Sequence, residues 1–437
     1  MGSGIDVVVV GGGPVGLCCA LSLARRGAAV TLLEAGERLP SRRSAAWANC
    51  GLVVPSHVLP VAAPGILGQG LRWLLDETSP FYIAPQARWD LVRWLALFGA
   101  AARAGKARAA APLLAALHEE STRLHVEWAG PPSSADPDGE GKPPGPGGDG
   151  WWLRRGGVLK VFATREGLDA ERRSHELVAA WAPPVEWLDA EAVQARCPAL
   201  RGPLAGGVVH AADAWLDPAA FLAGVAARAR AAGADLRGGT AALTLEPVAG
   251  GVRVLTGDGT LEATQAVVAA GAWSGPLLAA LGVRLPLEPG RGYSVDLEPA
   301  GDRDGPLPLP VHLGGARVVL TPLGRLVRAG STMELAGWDP RLRPRRLLAL
   351  RDAALRTLGL PATTPVRRAW HGLRPLSPDG LPFVGRLRRA PQVVVATGHG
   401  MLGLSLAPVT GELVADLVQG RRPAVDLAPL RPERFAW

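Results

Sequence analysis

Lysine is nearly missing from this chain of 437 residues: Lys106, Lys142 and Lys160 are the only three among 47 Lys+Arg. The positive charge is therefore arginine, scattered among Ala, Gly and Pro and never gathered into a run. A net charge of +8 spread in this way is not a phosphate-tracking tail, so no nucleic-acid partner is expected. The Arg-for-Lys, Ala-rich bias reads instead as a GC-rich coding background. Cysteine is scarce as well. Four of them (Cys18, Cys19, Cys50, Cys197) in so long a chain make no disulfide framework, and the adjacent Cys18 and Cys19 are poorly placed to bridge. A reducing, cytoplasmic setting is expected. No spacing of His, Cys or carboxylates matches a metal site, and no metal is expected. The first apolar run has no Lys or Arg ahead of it, unlike a secretory signal. Residues 5–24 are almost wholly apolar, but a glycine cluster in their middle argues against a membrane span. Glycine (56) and proline (40) make up about a fifth of the chain, below the level of low-complexity sequences and without a collagen period.

What is present is a globular composition, 48% hydrophobic and 20% charged, with length for about two to three domains. The first thirty-five residues read as a βαβ unit. Ile5 to Val10 is a β-branched run suited to a strand buried on both faces of a parallel sheet. Gly11, Gly13 and Gly16 follow as G-x-G-x-x-G, with Pro14 and Val15 between the last two. Leu17 to Arg26 carries helix formers and stops at Gly27; Ala29 to Leu33 is the second strand, with Glu34 at its end. In such a unit Gly11 permits the tight turn. Gly13 lets the backbone approach a pyrophosphate at the helix N-terminus, and Gly16 lets helix and strand pack closely. Glu34 accepts hydrogen bonds from a ribose and repels a 2′-phosphate. Dinucleotide binding follows, and the unit's place at the N-terminus points to FAD.

Two later segments repeat the logic of strand and glycine turn. Ala266 to Ala270 runs into Gly271, Ala272 and Trp273; Val393 to Ala396 runs into Gly398, Gly400 and Gly403 and then a helix ending near Gly420. They imply one nucleotide domain assembled from separated pieces. Between them, residues 59–128 read as several helices carrying Trp73, Trp89, Trp94 and Trp128. Residues 130–150 read as a flexible Gly/Pro loop. Trp151 to Phe162 and Leu285 to Met333 have the short, Gly- and Pro-bounded stretches of an antiparallel sheet. No internal repeat is found.

Four motifs together resemble the FAD-dependent D-amino acid oxidase superfamily, and within it the D-amino acid dehydrogenases, including the hydroxyproline dehydrogenase type. They are GGGPVG with Glu34, SAAWANCGLVVPSHVLPVAAPG at 44–65, HGLRPLSPDGLPFVGR at 371–386 and TGHGMLGLSLAPVTGELVADL at 397–417. Glycine oxidase and monomeric sarcosine oxidase share the plan. The resemblance implies an α/β plus α+β fold: a Rossmann-type FAD-binding domain with an inserted substrate domain containing an antiparallel sheet. Residues 1–58, 206–284 and 366–437 are expected to form the first, and 59–205 and 285–365 the second. It also implies noncovalent FAD held by Gly11, Gly13, Pro14, Val15, Gly16, Glu34 and Ala35. Along the flavin ring and pyrophosphate it places Ser44, Ala45, Asn49, Cys50, Gly51 and Leu52. Ala242 is expected to offer backbone groups to the adenine, and Ala270, Gly271 and Trp273 to close the nucleotide site. His399, Gly400, Met401, Leu402, Gly403, Leu404 and Ser405 are expected to face the N1–C2=O edge of the flavin.

The chemistry so implied is hydride transfer from Cα of a D-amino acid to flavin N5, with D-proline and hydroxy-D-proline among the candidate substrates and a quinone or another acceptor taking the electrons. The alternatives are a glycine/sarcosine-type oxidase that uses oxygen and releases peroxide, and a flavin-binding subunit of a larger complex. Such a site needs a cation for the substrate carboxylate. Arg374 matches the position where glycine oxidase uses an Arg for this purpose; the competing reading pairs it with Asp379 in the same loop. Tyr293 is either a hydrogen-bond donor to substrate or an amphipathic strand residue, and His57 either touches substrate or flavin or is structural. Arg291 and His312 are further candidates. Met401 stands where glycine oxidase has a second Arg, a departure that implies a more apolar pocket. Nothing near Cys50 marks it as a covalent attachment point, and Cys18 and Cys19 read as core residues of the first helix. The Trp-rich stretch 71–98 reads as a cover for the substrate domain, with peripheral contact to the inner face of a membrane as its alternative.

Overall fold

The computed structural model describes residues 6–62, 77, 79–130, 150–301, 305–330, 332–339 and 341–435. Trp73 and all but the ends of the 130–150 loop lie outside them.

Strand Asp6–Val10 shows why its β-branched run is buried on both faces. Val7 and Val9 point into one apolar cluster and Val8 and Val10 into another. It is central in a six-stranded sheet whose spatial order is Asp235–Gly238, Ala29–Glu34, Asp6–Val10, Gln265–Val268, Val393–Thr397 and Phe383–Arg386. All neighbours are parallel except the last, antiparallel pair. The first helix, Pro14–Arg25, starts with proline in its first turn, where a missing N–H costs nothing, and is buried from Val15 to Ala24. Cys18 and Cys19 lie in that core. Arg26 then pairs with Glu412 and Asp416 of helix Ala407–Val418, so the helices after the first and last glycine turns are fastened side by side. The opposite face is covered by the three-stranded antiparallel sheet of Ala242–Val248, Gly251–Thr256 and Gly259–Ala263.

The second layer is a ten-stranded, mainly antiparallel sheet. Its central strand, Glu288–Leu297, pairs along one edge with Val366–Leu376 and along the other with Leu326–Gly330 and Met333–Leu335. Helix Pro344–Leu358 packs on one face through Leu350, Ala354 and Leu358.

Three features depart from the domain reading. Gly206–His210 pairs with Val158–Phe162, and Val366–Leu376 with Glu288–Leu297, so both strands belong to the large sheet, whereas the sequence assigns 206–284 and 366–437 to the nucleotide domain. Helix Ala104–Ala129, read as part of the substrate domain, buries Leu114, Leu117, Leu124 and Trp128 in the core of the nucleotide sheet's helices. In each case the partner that buries the element lies far away in sequence. Helix Trp89–Ala101 does cover the large sheet, seating Leu91, Trp94 and Phe98 against Met333, Leu335 and Leu376.

Candidate active site

The glycine turns converge at the C-terminal ends of the parallel strands, where ligands of open α/β sheets bind. Gly11 has φ +113°, and a Cβ there would stand 2.5 Å from the Ala269 carbonyl oxygen; a Cβ on Gly16 would overlap the Gly11 carbonyl oxygen. Only glycine permits that crossing of turn, helix and neighbouring strand. A cleft of about 480 Å³ opens over it. Gly11, Gly13, Pro14, Val15, Glu34 and Ala35 line its first part. The N–H groups of Gly13, Val15 and Gly16 have no protein acceptor among the described residues, as an anion site at a helix start requires. Glu34 accepts hydrogen bonds from the N–H of Gly12 and of Gly36, both 2.8 Å, which fixes its carboxylate at the wall with lone pairs still open to a ribose.

Ser44, Ala45 and Asn49 line the next part, beside Arg43. Arg43 is a cation at the cleft that motif matching did not single out; its only signal is the pair of arginines just before Ser44. Ala242, Ala270, Gly271 and Trp273 close one side, and His399, Gly400, Met401, Gly403 and Leu404 the other. Six residues expected at the cofactor stand behind the wall. Gly16 is taken up in the helix–strand crossing. Cys50, Gly51 and Leu52 thread between the sheets: a Cβ on Gly330 would stand 2.9 Å from Cys50 Sγ, and Leu52 pairs with Trp215. Burial lifts the Cys50 thiol to about 11, so it stays protonated. Leu402 and Ser405 are buried under the last turn.

Of the candidates for substrate contact, the cleft contains Arg374 alone. It lies on strand Val366–Leu376 with its guanidinium stacked over Gly292, where any Cβ would overlap all three terminal guanidinium atoms. Gly292 is thus part of the site, and only the pairing of the two strands shows it. Nη1 donates to the Thr332 carbonyl oxygen at 2.9 Å. No carboxylate pairs with Arg374 among the described residues. Asp379, its competing partner in the sequence reading, is gripped in a bidentate pair by Arg434, both bonds 2.8 Å. Burial lowers the pKa of Arg374, the cost of a guanidinium that lacks its anion.

The other four miss the cleft. Side chains alternate across a strand, so Arg291 and Tyr293 project to the face opposite Gly292 and Arg374. There Tyr293 donates to Glu334, which also pairs with Arg343, and Arg291 donates to the Arg341 carbonyl. His57 is half-buried beside Ser56, whose hydroxyl and N–H both bond Asp213, and His312 is half-buried in the large sheet with no partner for Nε2 among the described residues. Burial lowers both imidazoles, with nearby Lys160 adding to it, to about 4 for His57. His399 bonds Thr410 Oγ1 through Nε2 at 3.0 Å, and Thr410 in turn donates to the Leu406 carbonyl. That chain makes Nε2 the protonated nitrogen, and burial, lowering the pKa to about 3, keeps the ring neutral.

A family model described as FAD dependent oxidoreductase matches residues 6–417. The chain belongs to that family. It is 33% identical to a D-amino acid dehydrogenase of Cereibacter sphaeroides over 98% of this chain and 95% of that one. It is also 33% identical to a D-amino-acid oxidase of Bradyrhizobium diazoefficiens over 100% of both. Among solved structures, glycine oxidase from Geobacillus kaustophilus matches with TM-score 0.73 and 25% identity, covering 99% of each chain. The cofactor of this oxidoreductase is FAD, and the cleft fits it: free N–H groups at the first helix, an anchored carboxylate at the second strand and a second glycine turn facing them. No described group of His, Cys, Asp and Glu is arranged to hold a metal.

Proposed function

We propose that this oxidoreductase dehydrogenates D-amino acids, with D-proline and hydroxy-D-proline among its candidate substrates, and passes the electrons to a quinone or another acceptor. The observation that carries this reading is the guanidinium of Arg374, on the cleft wall without a carboxylate of the protein to pair with. A planar fork in that position takes a substrate carboxylate bidentately and so fixes the neighbouring Cα against the cleft. Bound FAD supplies the acceptor for two electrons and a proton equivalent. The protein's part is placement: Arg374 holds the acid group, Thr332 holds Arg374, and Gly292 gives the fork its room. Of the titratable side chains at the cleft, Glu34 is tied to backbone N–H groups, and His399, lowered to about 3 by burial, holds a proton too weakly to serve as a base. Neither is available as a base beside Arg374, so the amine arrives already neutral.

The test is anaerobic mixing of the yellow protein with D- and L-amino acids, glycine and sarcosine, followed at the visible flavin band. Bleaching by D-proline or another D-amino acid with slow recovery in air supports the proposal. Rapid recovery with peroxide moves the protein to the oxidases, and bleaching by none of them refutes the amino-acid reading and leaves a flavoprotein with another substrate. No described helix is long and apolar enough to cross a membrane. In the proposed reading the enzyme works in the cytoplasm. Trp89 and Val92, 75% and 50% exposed on helix Trp89–Ala101, are where contact with the inner membrane face would form. Sedimentation with anionic vesicles, compared with Trp89→Ser, tests that contact.

A further inference from the structure

The last glycine turn, His399 to Ser405, is held from behind by a helix that no motif marked. On helix Ala104–Ala129, His118, Ser121 and His125 are spaced three and four residues apart, which places them on one face. All three are buried and all three meet the turn or the helix it opens. Ser121 Oγ donates to the Ser405 carbonyl oxygen at 2.6 Å and accepts from the N–H of Val409 at 3.5 Å. His125 Nε2 lies 3.2 Å from the Leu404 carbonyl oxygen, and His118 Nδ1 lies 3.4 Å from Ser405 Oγ, which also accepts from the N–H of Val54. Helix Ala407–Val418 has no capping side chain of its own, since its N-cap is Leu406. Ser121 supplies that cap from another helix.

The consequence lies on the front of the turn. The N–H groups of Met401, Gly403, Leu404 and Ser405 find no acceptor among the described residues, and Met401, Gly403 and Leu404 line the cleft. In a trans peptide the N–H points away from the carbonyl of the same unit. A donor fixed on the Leu404 carbonyl therefore fixes the Ser405 N–H, and the bond to the Ser405 carbonyl fixes the unit whose N–H, on Leu406, already bonds the Leu402 carbonyl, so the last two peptide units of the turn are clamped and the backbone before them is held with them. We propose that His118, Ser121 and His125 are positioning residues: by holding the Ser405 hydroxyl, the Ser405 carbonyl and the Leu404 carbonyl they anchor the end of the turn, keep its cleft-lining N–H groups at Met401, Gly403 and Leu404 in one arrangement and thereby set how strongly the site stabilises negative charge on the bound flavin. The proposal rests on the FAD reading of the cleft and adds to it a control element on a distant helix.

The test uses the FAD-loaded enzyme and two equilibrium readouts, the flavin midpoint potential against a reference dye and the affinity for sulfite, which on binding leaves the flavin anionic. Ser121→Ala is expected to lower the potential and weaken sulfite binding about tenfold, the effect of one misdirected hydrogen bond to a charged group. Ser121→Thr, which keeps the hydroxyl, is expected to restore both. His125→Leu reads the Leu404 arm separately, with His125→Gln as its conservative partner, and serves if Ser121→Ala does not fold. Variants that retain FAD with the wild-type potential and sulfite affinity overturn the proposal. A wild-type protein that holds no flavin refutes the cofactor reading of the cleft instead.

Discussion

Lowering the pH from about 8 to about 5 sets the buried imidazoles against the fold. Burial brings His57 and His125 down to about 4, and His118, His210 and His399 down to about 3, from an ordinary 6.5. Lys160 and neighbouring histidines deepen the effect at His57, His118 and His210. At about pH 5 each of the five is neutral in the native state and protonated in the unfolded chain. Their contribution to stability is complete above about 6.5 and is lost as the pH falls toward 4. Asp213 acts in the opposite sense. Burial raises its carboxyl to about 7, against the bonds from Ser56, so near pH 5 it is protonated only when folded. His312, also held well below its ordinary value by burial, makes six protons gained on unfolding, and less the one that Asp213 releases about five remain, a slope of about 7 kcal/mol per pH unit. A fold stable by about 5–15 kcal/mol cannot sustain that slope for long. The FAD-loaded protein is expected to show a Tm, read by tryptophan fluorescence, that is level above about pH 7 and drops steeply below about 6. Proton uptake on urea unfolding near pH 5 should be about five, and His210→Asn should lower it by about one. Equal Tm at the two ends of this range, or uptake below one proton, would refute the reasoning.

Arg374→Lys should leave FAD content unchanged and cut kcat/KM for the best amino acid by about a hundredfold, mostly through KM, because a point charge replaces a fork; unchanged KM would count against carboxylate binding. Gly292→Ala should raise KM at least about tenfold while the visible spectrum of bound FAD stays close to wild type, since the new methyl displaces the guanidinium and not the cofactor turn. Gly16→Ala should cost about 3 kcal/mol and yield protein without yellow colour, and a stable, FAD-replete variant would contradict the crossing described here. The pH profile of kcat/KM should rise toward the pKa of the substrate amine with no limb from an enzyme histidine; a limb near pH 6.5 would show a base that the cleft does not contain.

The nucleotide half of the site was legible because its physics is local. A strand, a turn with φ +113° at Gly11, a helix start and an acid at the end of the next strand fall within one short stretch, and each needs a particular residue type. Strands expected at Ala266–Ala270 and Val393–Ala396 appear at Gln265–Val268 and Val393–Thr397, and the helix ending near Gly420 spans Ala407–Val418. Arg374 stood out for the same reason, as a cation inside a specific motif. Tyr293, Arg291 and His312 did not reach the cleft because residue type alone does not say which face of a sheet a side chain takes, and His57 did not because the loop after Leu52–Val53 seats it beside Ser56 and Asp213. In Glu288–Leu297 that choice puts Gly292 on the cleft side and Tyr293 on the other.

What the sequence by itself determined is the kind of cofactor: glycines where the backbone must approach a pyrophosphate and Glu34 at ribose distance along the chain. What the tertiary structure decided is which charges remain free to act. Asp379 is five residues from Arg374, yet it is held by Arg434, fifty-five residues further on. The last glycine turn is fastened by Ser121 and His125, more than 250 residues before it. Hydrogen bonds and ion pairs are satisfied by whatever the fold brings within about 3 Å, and sequence distance places no limit on that choice.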